Sequence, residues 1–182
     1  MDRIVRRNSQ AGITMIETLM AGAILVIGSL SMITLIINSI ASNNRNRIDS
    51  TQTMLVQSVL EQINSSVIGA GTSYLVDCAG TSLTIETSVP ISGSAGSAVS
   101  GSVIDFTEAS PATGYHMDYV INTPCESSGT TQGTYDVRWH LDRVGVTTTN
   151  TFLITVSAKL KGHGEGNKFF SLPVTLRMMS GN

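Results

Sequence analysis

Charged, aromatic and cysteine residues are all scarce in this 182-residue sequence. Lysine, arginine, aspartate and glutamate make up 13 % of it, whereas about a quarter is usual in soluble domains. The net charge is −2 and no Lys/Arg-rich stretch follows Arg7, which argues against a general nucleic-acid-binding protein. The two cysteines form no C-x-x-C pair and are too few for the usual cysteine-rich zinc site. The length suits one domain of ordinary size.

The sequence also lacks the motifs of the common enzyme classes. It has no H-E-x-x-H pair for a metal, no serine in a nucleophile-elbow pattern, and no lysine in its Gly/Ser-rich stretch to hold a phosphate. The histidines are His116, His140 and His163. We expect His140 on the polar face of a strand and His163 in a turn, both in contact with water. We therefore assign no catalytic residue, no metal and no cofactor, and expect that the protein is not an enzyme.

Two sets of charged residues have an alternative interpretation as binding sites. Asp105, Glu108 and Asp118 could gather around calcium, but they lack the spacing of a calcium-binding loop and favour a solvated face. The basic residues near the last strands could form an edge that binds DNA, but acidic residues alternate with them and favour a mixed surface. These basic residues are Arg138, Arg143, Lys159, Lys161 and Lys168.

What the sequence does contain is many hydroxyl groups and one long apolar run. Serine and threonine account for 23 and 21 residues, respectively. The run extends from Ile13 to Ile40, and no charged residue occurs between Thr18 and Ala41. About 20 such residues cross a bilayer as a helix, whereas the apolar part of a signal peptide has only about 7 to 15. The run therefore predicts a single membrane anchor.

A short basic head precedes the run, with Arg3, Arg6 and Arg7 against Asp2. Positive charge tends to stay on the cytoplasmic side of a membrane. We therefore expect a single-pass protein of the inner membrane, with residues 42–182 forming a body in the periplasm or outside the cell.

Glu17 is the one charged residue inside the apolar run. A carboxylate near bilayer depth costs several kcal/mol unless it is partnered or hydrated, so it is a candidate functional residue. The alternative is a carboxylate at the membrane surface that has no role.

The segment Gly12-Ile13-Thr14-Met15-Ile16-Glu17 resembles the cleavage and methylation segment of type IV prepilins and pseudopilins. The resemblance implies that a membrane-embedded prepilin peptidase cuts between Gly12 and Ile13 and methylates the new amino group of Ile13. Glu17 becomes the fifth residue of the mature chain, where it is expected to neutralise the α-ammonium group of a neighbouring subunit. Ile13 stands where phenylalanine is commonest in the family, and Thr34 stands where proline is frequent.

After the run, a polar stretch at 42–47 predicts the exit from the membrane, where we expect the helix to be loosened. Helical spacing then resumes, and the pattern predicts one helix from about Ile13 to about Ile68 that stops at Gly69-Ala70-Gly71. The apolar stripe of its second half comprises Ile48, Leu55, Val59, Ile63 and Val67.

Alternation of apolar and polar residues predicts strands beyond Gly71. The clearest are 135–141, 152–160 and 170–178, spaced as in an antiparallel meander, with Pro173 favouring an edge strand. Shorter candidates are Leu83–Thr87, Val103–Thr107 and Met117–Ile121. Residues 88–102 predict a flexible surface loop and 162–167 a hairpin turn.

The expected fold class is thus α+β, with a long N-terminal helix, transmembrane in its first half, packed on a small antiparallel sheet. The resemblance implies the type IV pilin fold, divided into a leader peptide (1–12), a transmembrane and filament-core helix (13–41) and an extracytoplasmic body (42–182). In the body, Tyr135–Trp139 and Ile154–Val156 loosely resemble minor pilins of the PilV kind.

Cys78 and Cys125 lie outside the cytoplasm in this topology, where a disulfide can form. It would close a loop of 47 residues, for which chain entropy gives a stabilisation of about 4 kcal/mol. The alternative is two free, buried thiols.

The function that these features predict is that of a minor type IV pilin, a structural subunit that primes or decorates a pilus and supports adhesion, motility or DNA uptake. Expected partners are other pilin subunits, prepilin peptidase, the inner-membrane assembly platform and, before assembly, the membrane itself. Nucleic acid is not expected as a direct ligand. Two alternatives remain: a pseudopilin of a type II secretion system, and a single-pass, membrane-anchored extracytoplasmic binding domain.

Overall fold

A single long helix, α1, covers Met15–Ser65. The computed structural model describes residues 14–66, 68–69, 71–91, 93–145, 151–162 and 172–181. The chain divides into two compact units, Met1–Asn44 and Arg45–Asn182. The described part of the first unit is helical from Met15 onwards. The second unit contains the rest of α1 and the described strands.

In the first unit, the apolar side chains of α1 are exposed, and its most apolar window has a mean hydropathy of 2.4 with none of it buried within the protein. The 24 uncharged residues from Thr18 to Ala41 span about 36 Å as a helix, enough for a hydrocarbon core. By length and composition, α1 can cross a membrane. A signal sequence near the N-terminus satisfies the same criteria.

Three hydroxyl groups in this apolar stretch bond to the helix itself. Ser29 donates to the carbonyl of Leu25 (2.8 Å), and Thr34 donates to that of Leu30 (3.0 Å). Ser31 makes the same bond one turn back. Because lipid offers no hydrogen-bonding partners, this internal pairing suits a membrane-spanning helix.

The expected loosening at 42–47 is wrong, because α1 is helical throughout this stretch. Serine and asparagine cost only tenths of a kcal/mol per residue in a helix, and an extension of a long helix needs no new nucleus. The helix ends at Ser65, a few residues before the predicted end, and Ser66 bonds back to the carbonyl of Ile63 through its N–H group (3.2 Å) and its hydroxyl (2.7 Å). Gly69 follows with a positive φ of 99°, which glycine adopts without strain.

Nine strands in the described residues form three antiparallel sheets. Their bounds are β1 Thr72–Val76, β2 Ser82–Glu86, β3 Ser94–Gly96, β4 Val99–Ser100, β5 Val103–Ile104, β6 His116–Thr123, β7 Thr130–Val144, β8 Thr151–Gly162 and β9 Val174–Gly181. The main sheet contains β3, β6, β7, β8 and β9, and the pairs β1–β2 and β4–β5 form small sheets of their own. The structure therefore confirms an α+β chain with one long apolar N-terminal helix.

The order β7–β8–β9 in the main sheet is the predicted antiparallel meander, and β6, which was predicted as a separate short strand, pairs with the other edge of β7. Its last strand, β9, lies at the edge of the sheet and begins directly after Pro173, as the proline predicts. Strand β3 pairs with the end of β7 that β6 leaves free. The long strand β7 therefore pairs with three other strands, β3, β6 and β8.

The core lies between the second half of α1 and one face of this sheet. Side chains at helical spacing on α1 meet the inward residues of β7 and β8, and Trp139 is completely buried at the centre. The indole N–H of Trp139 donates to the carbonyl of Glu86 on β2 (2.9 Å), so β2 also closes over the core. The buried apolar residues of the helix are Leu55, Val56, Val59, Leu60 and Ile63.

The prediction of a flexible loop at 88–102 is wrong in part, because this segment contains β3 and β4. Gly96 on β3 has a φ of 125°, and a Cβ atom there would lie 2.4 Å from the carbonyl oxygen of Trp139. A glycine that looked like a flexibility signal thus permits a close strand pairing. Strand β1 was not predicted, β5 is shorter than expected, and all but Gly162 of the predicted turn at 162–167 lies outside the described residues.

We predict that Ile63→Ala lowers the free energy of unfolding by about 2–5 kcal/mol, because Ile63 is fully buried and the change leaves a cavity. Met54→Ala, on the exposed side of the same helix, should change it by less than about 0.5 kcal/mol. Denaturant unfolding followed by the fluorescence of the single tryptophan measures both. Equal effects of the two changes would refute the packing of this helix face.

Candidate functional site

The predicted cleavage and methylation residues, Gly12 and Ile13, lie outside the described residues. Glu17 lies in the first turn of α1 and is exposed. It is the only charged residue between Thr14 and Asn44. A carboxylate in the first turn interacts favourably with the positive end of the helix dipole, and its exposure leaves it free to accept a cation from another molecule.

Thr14, the residue before the helix, has a role that the sequence analysis missed. Its hydroxyl accepts a hydrogen bond from the backbone N–H of Glu17 (3.3 Å), and its carbonyl accepts from the N–H groups of Glu17 (3.0 Å) and Thr18 (3.2 Å). Thr14 is thus the N-cap of α1. The signal was in the sequence, since threonine followed three residues later by glutamate is the pattern of a capping box.

Cys78 and Cys125 form a disulfide, as predicted. It joins the turn after β1 to the turn between β6 and β7, with Cys125 exposed and Cys78 nearly buried. Hydrogen bonds fix both turns independently: the carboxylate of Asp77 accepts from the N–H of Thr81 (2.7 Å), and the amide of Asn122 donates to the carbonyl of Glu126 (2.9 Å). The crosslink therefore joins two segments that are already ordered.

His140 is not a solvated residue, so this expectation is wrong. Its Nδ1 atom lies 2.8 Å from the carbonyl oxygen of Ser97, and its Nε2 atom lies 3.1 Å from Asp142 Oδ1. The hydroxyl of Ser97 bonds instead to the carbonyl of Tyr115 (3.1 Å), so this serine and histidine do not form a nucleophile–base pair. His116 is half-buried on β6, and His163 lies outside the described residues.

The three acidic residues considered for calcium are engaged in separate contacts. Asp105 accepts from the N–H (2.8 Å) and hydroxyl (2.6 Å) of Thr107, and these bonds, the hydroxyl first, hold the pKa of Asp105 below its ordinary value. Glu108 accepts from the N–H of Ala98 (3.0 Å), and Asp118 pairs with Lys161 (2.6 Å). In the part of the chain that the structure describes, no group of three potential metal ligands comes together.

Arg138 is buried, so it does not belong to a basic edge that could bind DNA. Its guanidinium group makes a forked ion pair with Asp136 (2.8 Å) and donates to the carbonyls of Asp105 (3.2 Å) and Glu108 (3.1 Å). It also lies 5.0 Å from the centre of the Phe106 ring. Arg138 therefore holds the segment 105–108 against the face of the sheet that points away from α1.

The other basic residues of the predicted edge also contact the protein itself. Arg143 stacks on Phe152 (4.7 Å from the ring centre), and Lys159 lies over Phe106 (5.8 Å). Lys161 pairs with Asp118, and Lys168 lies outside the described residues. The described basic residues favour the mixed-surface interpretation.

Comparisons with known proteins identify no relative of this chain. No family model, no curated protein and no solved structure matches the chain. The inference of function therefore depends on the chain's own helix, motif and crosslink.

We predict that Arg138→Met lowers the free energy of unfolding by about 3–5 kcal/mol, because it leaves the carboxylate of Asp136 nearly buried without a counter-charge. The double change Arg138→Met and Asp136→Leu should cost less than the single one, since no charge is then stranded. Arg177→Met, at an exposed site on β9, is the matched control. If Arg138→Met costs no more than Arg177→Met in denaturant unfolding, the role of Arg138 is refuted.

Proposed function

We propose that this chain is a minor type IV pilin, a structural subunit that is processed by prepilin peptidase and then enters a pilus filament. The observation that supports this most is the change of environment along α1. Its first half exposes apolar side chains all round, whereas its second half buries one face in the core of the body. A helix that presents a long apolar surface needs either lipid or other helices around it.

The two environments of a pilin, membrane and filament, would each satisfy this requirement. Before assembly, lipid surrounds the apolar half; after assembly, the corresponding halves of other subunits do. The hydroxyl groups of Ser29, Ser31 and Thr34, which bond within the helix, need no partner in either setting. The disulfide agrees with a body outside the cytoplasm, where such crosslinks persist.

Removal of the leader would change the charge at the cytoplasmic end of the helix. Residues 1–12 carry three arginines and one aspartate, a charge of +3 − 1 = +2, so the mature chain of 182 − 12 = 170 residues has a charge of −2 − 2 = −4. With the arginines gone, nothing basic remains before Arg45 except the new amino group of Ile13. That group and the carboxylate of Glu17 are then the two charges to be paired between subunits.

Three alternatives to this proposal share the long apolar helix. A pseudopilin of a type II secretion system would undergo the same processing but assemble with secretion proteins. A membrane-anchored binding domain would retain its first twelve residues, and a protein with a signal sequence would be cut after the apolar run. The site of N-terminal processing separates these last two from the pilin family.

We predict that mass spectrometry of the protein from cells with prepilin peptidase shows a chain that begins at Ile13 and carries one methyl group on its amino nitrogen. The same cells without the peptidase should yield the unprocessed chain. Gly28→Ala, within the helix and far from the predicted cut, is the matched control for Gly12→Ala, which should reduce processing. An intact leader, or a cut after the apolar run, would refute the proposal.

We predict that Glu17→Ala leaves processing intact but lowers incorporation into filaments about a hundredfold or more, because breaking a buried ion pair costs about 3–5 kcal/mol. Glu17→Gln should behave similarly, since it retains the shape of the side chain and removes the charge. Glu61→Ala, an exposed glutamate on the same helix, is the control. Quantitative blotting of sheared filaments measures the effect, and normal incorporation of Glu17→Ala would remove the role assigned to this carboxylate.

A further inference from the structure

We infer that Arg45 and Arg47 form a binding site for the phosphate groups of anionic phospholipids. The lipids are those of the leaflet on the body's side of the membrane, and the contact fixes the depth of α1 before assembly. This inference rests on the proposed function only in that α1 crosses a membrane. It requires neither cleavage of the leader nor entry into a filament, and its partner is a lipid head group rather than a second subunit.

The two arginines follow the apolar run closely. Helix α1 continues through both, and they are the fourth and sixth residues after Ala41, the end of the uncharged run. At 1.5 Å per residue, this is about 6 and 9 Å of helix rise, whereas the head-group layer on each side of the hydrocarbon core is about 5–7 Å thick. Arg45 therefore falls within this layer. Arg47 falls at its outer border, from which a long side chain can extend back to phosphate.

Both arginine side chains are exposed, and neither has a counter-charge in the described part of the body. None of the ion pairs between described residues includes either of them, although Asp49 lies one turn after Arg45. Arg47 donates from Nη2 to the amide oxygen of Gln132 on β7 (3.1 Å), which orients the guanidinium group without neutralising it. A guanidinium group that no carboxylate occupies suits phosphate, to which arginine donates two parallel hydrogen bonds.

The sign and the place of this charge also favour a lipid partner. The whole chain has more acidic than basic residues, 13 against 11, yet Arg45 and Arg47 are the only charged residues between Thr18 and Ile48. Arginine on this side of a membrane opposes the tendency that keeps positive charge in the cytoplasm. Attraction to an anionic lipid surface offsets that cost, because each basic residue near such a surface is stabilised.

The test measures how tightly the full-length protein in a neutral detergent binds phosphatidylglycerol, which is anionic, and phosphatidylcholine, which is zwitterionic. Native mass spectrometry counts the lipids bound at each concentration. We expect the double change Arg45→Gln and Arg47→Gln to weaken phosphatidylglycerol binding about twentyfold, at about fivefold for each arginine, and to change phosphatidylcholine binding less. The double change Arg45→Lys and Arg47→Lys should stay within about threefold of the unchanged protein, because the positive charge remains.

Arg177→Gln, at an exposed site on β9, is the matched control, because it removes the same charge elsewhere and should leave lipid binding unchanged. The arginines of the leader also attract lipid, but they are present in every variant compared.

Three results would overturn the inference. The first is unchanged phosphatidylglycerol binding in the double glutamine variant, and the second is an equal loss in Arg177→Gln or in the double lysine variant. The third is unchanged lipid binding together with poor incorporation of the double glutamine variant into filaments, because the arginines would then meet acidic groups of another subunit. An intact leader in cells with prepilin peptidase would instead refute the proposed function, and the lipid measurement would still decide this inference.

Discussion

The structure depends on one constraint. Helix α1 is continuous, but its first and second halves have different surfaces. In the body, five apolar side chains of the helix are buried against the sheet. From Met15 to Ile40, the large apolar side chains of the described helix are exposed on all its sides. The body can therefore fold on its own core, whereas the first half of the helix is stable only where something other than water surrounds it.

Within the body, buried residues on the two faces of β7 hold other segments of the chain. On the helix side, Trp139 is buried and bonds to β2 through its indole N–H group. On the other side, the neighbouring residue Arg138 is buried beneath the segment 105–108 and bonds to two of its carbonyls. Because side chains alternate along a strand, adjacent residues of one strand hold two separate layers. The sheet is thus covered on both sides, which is why polar residues such as Thr155 and Ser157 of β8 are also buried.

The sequence was informative wherever a single period extends over many residues. The helix, the meander β7–β8–β9 and the edge position of β9 could be predicted, because periods of 3.6 and 2 survive local exceptions. In the layer formed by residues 94–108, only the strand that begins at Val103 was predicted, since its strands have two or three residues and its glycines resemble those of a flexible loop. Arg138 and His140 were misassigned for a related reason: they lie on the polar side of β7, and only the fold shows that this side is covered.

In the candidate site, too, some features were visible in the sequence and others only in the structure. Glu17 could be selected as a candidate from the sequence because a charge in an apolar run is conspicuous, and the disulfide could be predicted because only two cysteines are present. The capping role of Thr14 required the hydrogen bond to the N–H of Glu17. The pattern of threonine followed three residues later by glutamate is short and common, and it indicates a cap only where a helix starts at that threonine.

The low content of charged residues is compatible with this structure, because hydroxyl groups make many of its polar contacts. A serine or threonine hydroxyl can bond to the carbonyl one turn back in a helix, so it is tolerated in lipid, and it can also fix a turn in water, as Thr107 does for Asp105. The described charged side chains that lie on the sheet are mostly paired within the body, as Arg138 is with Asp136 and Lys161 with Asp118. Glu17 differs from these, because in its half of the helix there is no basic side chain with which it could pair. If the apolar half enters a filament as proposed, cleavage of the leader would supply a cation for this carboxylate in the amino group of Ile13, since the mature chain has no basic side chain before Arg45.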